Sequence, residues 1–263
     1  MTLHASDVSI VAVIPAHLAS IRFPRKIMFP FHGLPMIEHV RQRALMCGAL
    51  KAVIVATCDE EIASTVRSHG GQVIMTDSSH TNGTTRVAEV ARTLDCSHVM
   101  LLQGDEPLLL PRHLDACVAA VDGGPEVDAW NATGPIDQAD ELDRHSFVKC
   151  SVATDGRILH CFRRSPFYST VEVQREFVRK ILGIVVYQRA FLTDLTTLPP
   201  AAIEQAEFIE QMRIIENGHT LMSVPVSPSL PSVNEPQEAD VVLEHLQRTS
   251  EQRTLLSAVL GGK

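Results

Sequence analysis

Hydrophobic residues in the first half of the chain fall in short unbroken runs, separated by stretches with helical spacing. Residues 8–14 (VSIVAVI), 52–57 (AVIVAT), 72–75 and 98–102 (HVMLL) have strand length and strand composition. Between them, 36–48, 59–69 and 84–94 carry apolar residues three and four apart and predict helices, with Gly48 and Gly70-Gly71 suited to helix ends. Strands that are apolar at nearly every position are covered on both faces. Their alternation with helices therefore predicts a largely parallel sheet between two helical layers, an α/β three-layer sandwich.

The second half is less regular. Residues 148–152 and 158–162 flank Thr154-Asp155-Gly156-Arg157, a turn signal, and predict a β-hairpin inserted beside the parallel core. Residues 181–187 and 223–226 read as further strands, 201–216 as one long helix and 236–247 as a closing helix. Phe208, Ile209 and Met212 within that long helix are expected in the core. No repeat or low-complexity linker interrupts the pattern, so residues 1–263 are expected to form one domain with a mixed sheet.

Ligands of such sheets bind in the crevice at the carboxyl ends of the strands. The two loops to inspect therefore follow Ile14 and Leu102. The first, Pro15 to Lys26, holds Arg22, Arg25 and Lys26 within five residues, and His17 as well. Cations and backbone N–H groups gathered there suit a polyphosphate, although a solvated basic turn has the same pattern. The second, Gln103-Gly104-Asp105-Glu106-Pro107, puts a carboxylate at a strand end, where it suits Mg²⁺ or caps the next helix. There is no G-x-x-x-x-G-K-[ST] loop, and no G-x-G-x-x-G turn after the first strand that would indicate a dinucleotide.

Charge and cysteine content narrow the classes further. The net charge of −8 argues against non-specific nucleic-acid binding, so an anionic ligand must meet local cations. The six cysteines form no C-x-x-C pair and read as reduced, buried thiols. The apolar run near the start is too short for a signal-peptide core, and no stretch approaches a membrane span, so a soluble cytoplasmic protein is expected.

The segments VAVIPAHLASIRFPRKI, HGLPMIEHVRQRA, VIVATCDEEIA, HTNGTTRVAEV, LLQGDEPLL, GRILHCFRRSP and FIEQMRIIENG resemble, roughly in register from about residue 8 to 245, the 3-deoxy-manno-octulosonate (Kdo) cytidylyltransferase family. The resemblance implies a nucleotide-diphospho-sugar-transferase-like fold and transfer of CMP from CTP to an acidic sugar. It also implies a Mg²⁺ cofactor, a homodimer and a role in lipopolysaccharide synthesis. Arg22, Lys26 and Asp105 would be catalytic, with Asp105 and Asn234 at the metal. Pro15, Ala16, His17, Ser20, Arg22, Lys26, Thr81, Gly83, Arg86 and Gln103 would hold the nucleotide. Gln103, Arg163, Tyr187, Glu210 and Gln211 would face the sugar, Arg163 pairing with its carboxylate. The chain departs from the family pattern at His17 (Arg), Cys58 and Thr85 (both acidic), Ile181 (His), Val185 (Tyr) and Asn234 (Asp). These departures point to a divergent acceptor, reduced activity or both.

Overall fold

A computed structural model describes residues 8–261. Its main sheet runs β11 (Leu221–Pro225), β7 (Ala129–Gly134), β10 (Val178–Gln188), β6 (His98–Leu102), β1 (Ile10–Ala16), β4 (Leu50–Thr57), β5 (Gln72–Met75). The pairings β6–β1, β1–β4, β4–β5 and β7–β11 are parallel, and β10 runs against both of its neighbours. The hairpin of β8 (Lys149–Val152) and β9 (Ile158–Phe162) attaches to the first residues of β10. It extends the sheet and forms no second body. A small ribbon, β2 (Pro30–Phe31) with β3 (Leu34–Pro35), lies after the basic loop.

Alternation along the central strands explains their unbroken apolar sequences. Ile10, Ala12 and Ile14 of β1 join Met100 and Leu102 of β6 in one core, with Met36, Ile37 and Val40 of the helix Met36–Ala44. Val11 and Val13 join Val99 and Leu101 in the other, with Val87 and Val90 of the helix Gly83–Ala91. Both faces are thus dry, as a sheet between two helical layers requires. The cysteines are free thiols, five buried and Cys58 half-buried. Among the described residues no helix is long and apolar enough to cross a membrane.

Two strand boundaries shape the crevice. β1 runs two residues past the predicted end, through Pro15 and Ala16. Its pairing with β6 ends at Val13–Leu101, whereas its pairing with β4 continues to Ala16–Thr57. Beyond Val13 the two strands separate, and the gap opens between Pro15-Ala16 and Gln103–Asp105. Pro15, which cannot donate to a strand ladder, falls past the last pair of β1 with β6.

The single helix expected over 201–216 is two helices, Ala202–Glu207 and Gln211–Glu216. Phe208 breaks them with φ of 54° and is 83% exposed, against the core position expected for it; Ile209 and Met212 are buried. Arg163 supplies the reason: its Nε and Nη2 take the carbonyls of Glu207 (2.9 Å) and Phe208 (3.3 Å), so neither needs a following helical turn. Strand β7 and the helices Pro111–Gly123, Val171–Phe177, Arg189–Leu195 and Ser250–Gly261 were not predicted by the periodicity.

Candidate active site

A cavity of about 550 Å³ opens at the carboxyl ends of β1, β4 and β6. Pro15, Ala16, His17, Ser20, Lys26, Thr81, Gly83, Arg86, Gln103 and Asp105 all line it, from three separate segments. The backbone of Leu18 donates to Asp59 Oδ2 (2.9 Å), and Arg25 pairs with Glu61, so the basic loop is fastened to the end of β4 and the helix behind it. Lys26 Nζ lies 2.6 Å from Asp105 Oδ2 and 3.0 Å from the carbonyl of Val233. Val233 N donates back to the carbonyl of Asp105 (2.9 Å). These bonds bring residues far apart in sequence to one edge of the cavity.

The opposite wall is the N-terminus of the helix Gly83–Ala91. Asn82 caps it by accepting from Thr85 N (2.9 Å). The free first-turn N–H groups and the helix dipole favour an anion there. Gly83 lies close to the other wall: a Cβ there would come within 3.2 Å of the Pro15 ring, a tight contact. Arg86 is buried, donating to Thr76 Oγ1 and to the carbonyl of Asp77 (3.3 Å). Burial, with the Arg86 guanidinium next in effect, holds His17 below its ordinary pKa, so near neutrality His17 is an uncharged hydrogen-bonding group.

Gly183 in β10 locks the second loop. Its carbonyl accepts from Gln103 N (2.8 Å) and its N–H donates to Glu106 Oε1 (2.7 Å). A side chain at 183 would collide with both Gln103 and Glu106. Burial, then the neighbouring Asp105 charge, push Glu106 up to about 7. Gly183 and Asp59 were not singled out from the sequence. The signal for Asp59 was its place two residues past a buried strand.

The residues expected to face a sugar are divided. Gln103 is in the cavity, but Tyr187 is 3% exposed and packed within the second core. Glu210 accepts from Thr84 Oγ1, and Gln211 Nε2 donates to Asn131 Oδ1 (3.1 Å). Arg163 lines a second cavity of about 550 Å³ with Arg22, His145, Ser146, Phe208 and Asn234. Arg22 is thus the one expected nucleotide residue outside the first cavity. The Arg163 fork is spent on carbonyls of His145 (3.0 Å), Glu207 and Phe208. Its expected two-pronged grip on a carboxylate is therefore not preformed.

The metal expectation is tested by the donors present. Asp105 offers one half-buried carboxylate, and Asn234 Oδ1 already accepts from Arg22 Nη2 (3.0 Å). Among the described residues no three His, Cys, Asp or Glu side chains gather as a metal site. The set fits a Mg²⁺ that arrives with phosphate oxygens and takes one protein carboxylate. It does not form an all-protein cage.

A cytidylyltransferase family model matches residues 11–222. The chain belongs to the cytidylyltransferase family. This cytidylyltransferase is 35% identical over 250 residues to a 3-deoxy-manno-octulosonate cytidylyltransferase of Geobacter metallireducens, covering 91% of this chain and 98% of the relative. It is 34% identical over 244 residues to one of Chlorobium limicola, with 91% and 98% covered. Among solved structures it superposes on CMP:2-keto-3-deoxy-manno-octonic acid synthetase complexed with CTP, with TM-score 0.85 and 32% identity over 91% of this chain and 99% of that one. The inositol-1-phosphate CTP transferase from T. maritima, at 13% identity and TM-score 0.65, shares the fold.

Proposed function

We propose that the protein transfers CMP from CTP to 3-deoxy-manno-octulosonic acid (Kdo), releasing pyrophosphate. The observation that carries this reading is the likeness to the CTP-complexed synthetase over nearly its whole length, with the expected nucleotide residues other than Arg22 lining one cavity. The anomeric hydroxyl of the acid would attack the α-phosphorus of CTP in line. A P–O bond would form there as the bond to the β-phosphate oxygen breaks, with the hydroxyl proton passing to water. Negative charge grows on the leaving pyrophosphate, and Lys26, with Arg22 from the second cavity, would offset it. The backbone at Pro15 and Ala16 would approach the base, and the helix N-terminus at Gly83 would receive phosphate oxygens. Mg²⁺, held by Asp105 and the phosphates, would add charge neutralisation. The second cavity, joined to the first through the Arg22–Asn234 and Lys26–Val233 contacts, would hold the acid.

The same chemistry on a different acidic or amino sugar acid is the second reading. It is favoured by the exposed ring of Phe208 at the second cavity. A homodimer, a cytoplasmic location and a place in lipopolysaccharide synthesis belong to the same proposal and rest on the family resemblance. Pyrophosphate release with Mg²⁺, CTP and each of Kdo, 8-amino-Kdo, sialic acid or no acceptor tests it. Kdo-dependent release supports the first reading. Preference for another acid moves the chain to the second. CTP binding without release from any acid would mark a catalytically impaired relative.

A further inference from the structure

Lys149, in β8, is completely buried, and its ammonium is spent on main-chain oxygens. Nζ donates to the carbonyls of Arg144 (2.7 Å), Phe147 (2.8 Å) and Arg163. An ammonium has three N–H donors, so all three are used. Burying a charge costs more than burying an apolar side chain of the same length, so packing alone does not account for a lysine here. Burial, with the Arg163 guanidinium next, pushes its pKa down to about 8, which leaves it mainly charged near neutrality.

The carbonyls it collects surround the second cavity. Those of Arg144 and Phe147 bracket His145 and Ser146, which line that cavity while Lys149 itself does not. From the other side, Arg163 Nη1 takes the carbonyl of His145 (3.0 Å). The rest of that guanidinium holds Glu207 and Phe208, at the break between the two short helices. Two cations thus clamp the 144–147 turn, the start of β8 and the helix break together, through backbone groups that no side-chain substitution in the turn can remove.

We propose that Lys149 is a positioning residue for the acceptor: together with Arg163 it fixes the 144–147 turn against the helix break and so sets the shape of the pocket the acidic sugar enters. The inference rests on the second cavity being the acceptor site of the proposed CMP transfer. Lys149 touches neither substrate, and the nucleotide cavity, built from other segments, is indifferent to it.

The test is Lys149→Met in the full-length protein, with CTP affinity measured by calorimetry without acceptor, and with KM for the acid and kcat taken from pyrophosphate release. Ile158→Ala, a buried change on the facing strand away from the cavity, is the control for lost stability. The expected result is a rise of tenfold or more in KM for the acid, CTP affinity within twofold of wild type, and no comparable rise in acceptor KM for the control. Lys149→Gln keeps two donors without a charge. It should give a smaller rise in KM, and it decides the matter if the Met variant does not fold. Acceptor KM within twofold of wild type in the folded variant, or acceptor KM and CTP affinity weakening together, overturns the inference. Wild-type protein that binds no CTP or releases no pyrophosphate with any acid overturns the functional reading instead.

Discussion

The first cavity is walled by the carboxyl ends of β1, β4 and β6 and by one helix N-terminus, whereas the second is walled by a turn, a hairpin strand and a helix break. Side chains and amides of the first cavity project from elements that the two dry cores hold rigid. The second depends on Lys149 and Arg163 gathering six different carbonyls. A rigid strand-end site suits a ligand with fixed chemistry, such as a nucleoside triphosphate. A pocket tied together by a few cations can change shape through a few substitutions, which suits variation in the acceptor.

The largest expected effect breaks the nucleotide side. Lys26 bridges Asp105 and Val233 and faces the leaving phosphates in the proposed reaction. Lys26→Ala should lower kcat for CMP transfer by about 10²–10³-fold, the usual loss when one preorganised donor to developing charge is removed. Acceptor KM should move far less. Initial rates of pyrophosphate release over a matrix of CTP and acid concentrations separate the two.

The next strikes the acceptor side through stability. Arg213 grips the largely buried Glu204 with Nε (2.8 Å) and Nη2 (2.7 Å), joining the two short helices that flank Phe208. Arg213→Ala leaves that carboxylate without its cation and should cost about 3 kcal/mol in urea unfolding. CTP affinity of the folded variant should be unchanged. A loss of CTP affinity would mean that the two regions are less separable than their walls suggest.

A smaller effect belongs to the nucleotide side and is read by pH. His39 donates from Nε2 to the carbonyl of Phe31 (2.8 Å), supporting the ribbon after the basic loop, and its buried Nδ1 has no partner among the described residues. Because a carbonyl only accepts, the neutral ring carries its proton on Nε2, and a second proton would put a charge in a buried ring. Burial accordingly holds its pKa down to about 4, against 6.5 for the free side chain. Between those values the unfolded chain binds more protons, so stability falls as pH drops from 6.5 towards 4. The slope contributed approaches about 1.4 kcal/mol per pH unit. His39→Gln can keep the bond to Phe31 and cannot titrate. The difference between wild-type and variant urea midpoints at pH 5 and pH 7 isolates the contribution.

The contrast between the regions also explains what the sequence made legible. Strands buried on both faces announce themselves as unbroken apolar runs, and the loop after such a strand is where ligands are sought. His17, Lys26, Gln103 and Asp105 were found that way, and all of them line the first cavity. The second region carries its information in backbone carbonyls, which no side-chain pattern displays. Apolar spacing through 201–216 is truly helical, so nothing local signalled that Arg163, some forty residues earlier, would take the carbonyls that end the first helix. Tyr187 matched the family pattern but alternates into the second core with Val185. Nothing in the sequence around Lys149 distinguishes it from an ordinary polar residue of a hairpin strand.

The smallest expected effect sharpens the comparison at the break itself. Phe208 holds φ of 54° while 83% exposed, so it pays the left-handed penalty of about 1–2 kcal/mol with little burial in return. Glycine adopts that conformation freely but gains entropy in the unfolded chain, about 0.5–1 kcal/mol. Phe208→Gly should therefore stabilise the protein by up to about 1 kcal/mol, seen as a Tm rise of about 2–4 °C. The carbonyl of residue 208 still accepts from Arg163 in the variant, so the clamp survives the change. If the pocket is shaped by the clamp alone, acceptor KM stays put while Tm rises. A rise in KM despite the gain in stability would instead make the phenyl ring part of the acceptor's surroundings, and a panel of acids on wild type and variant would show which of them it favours.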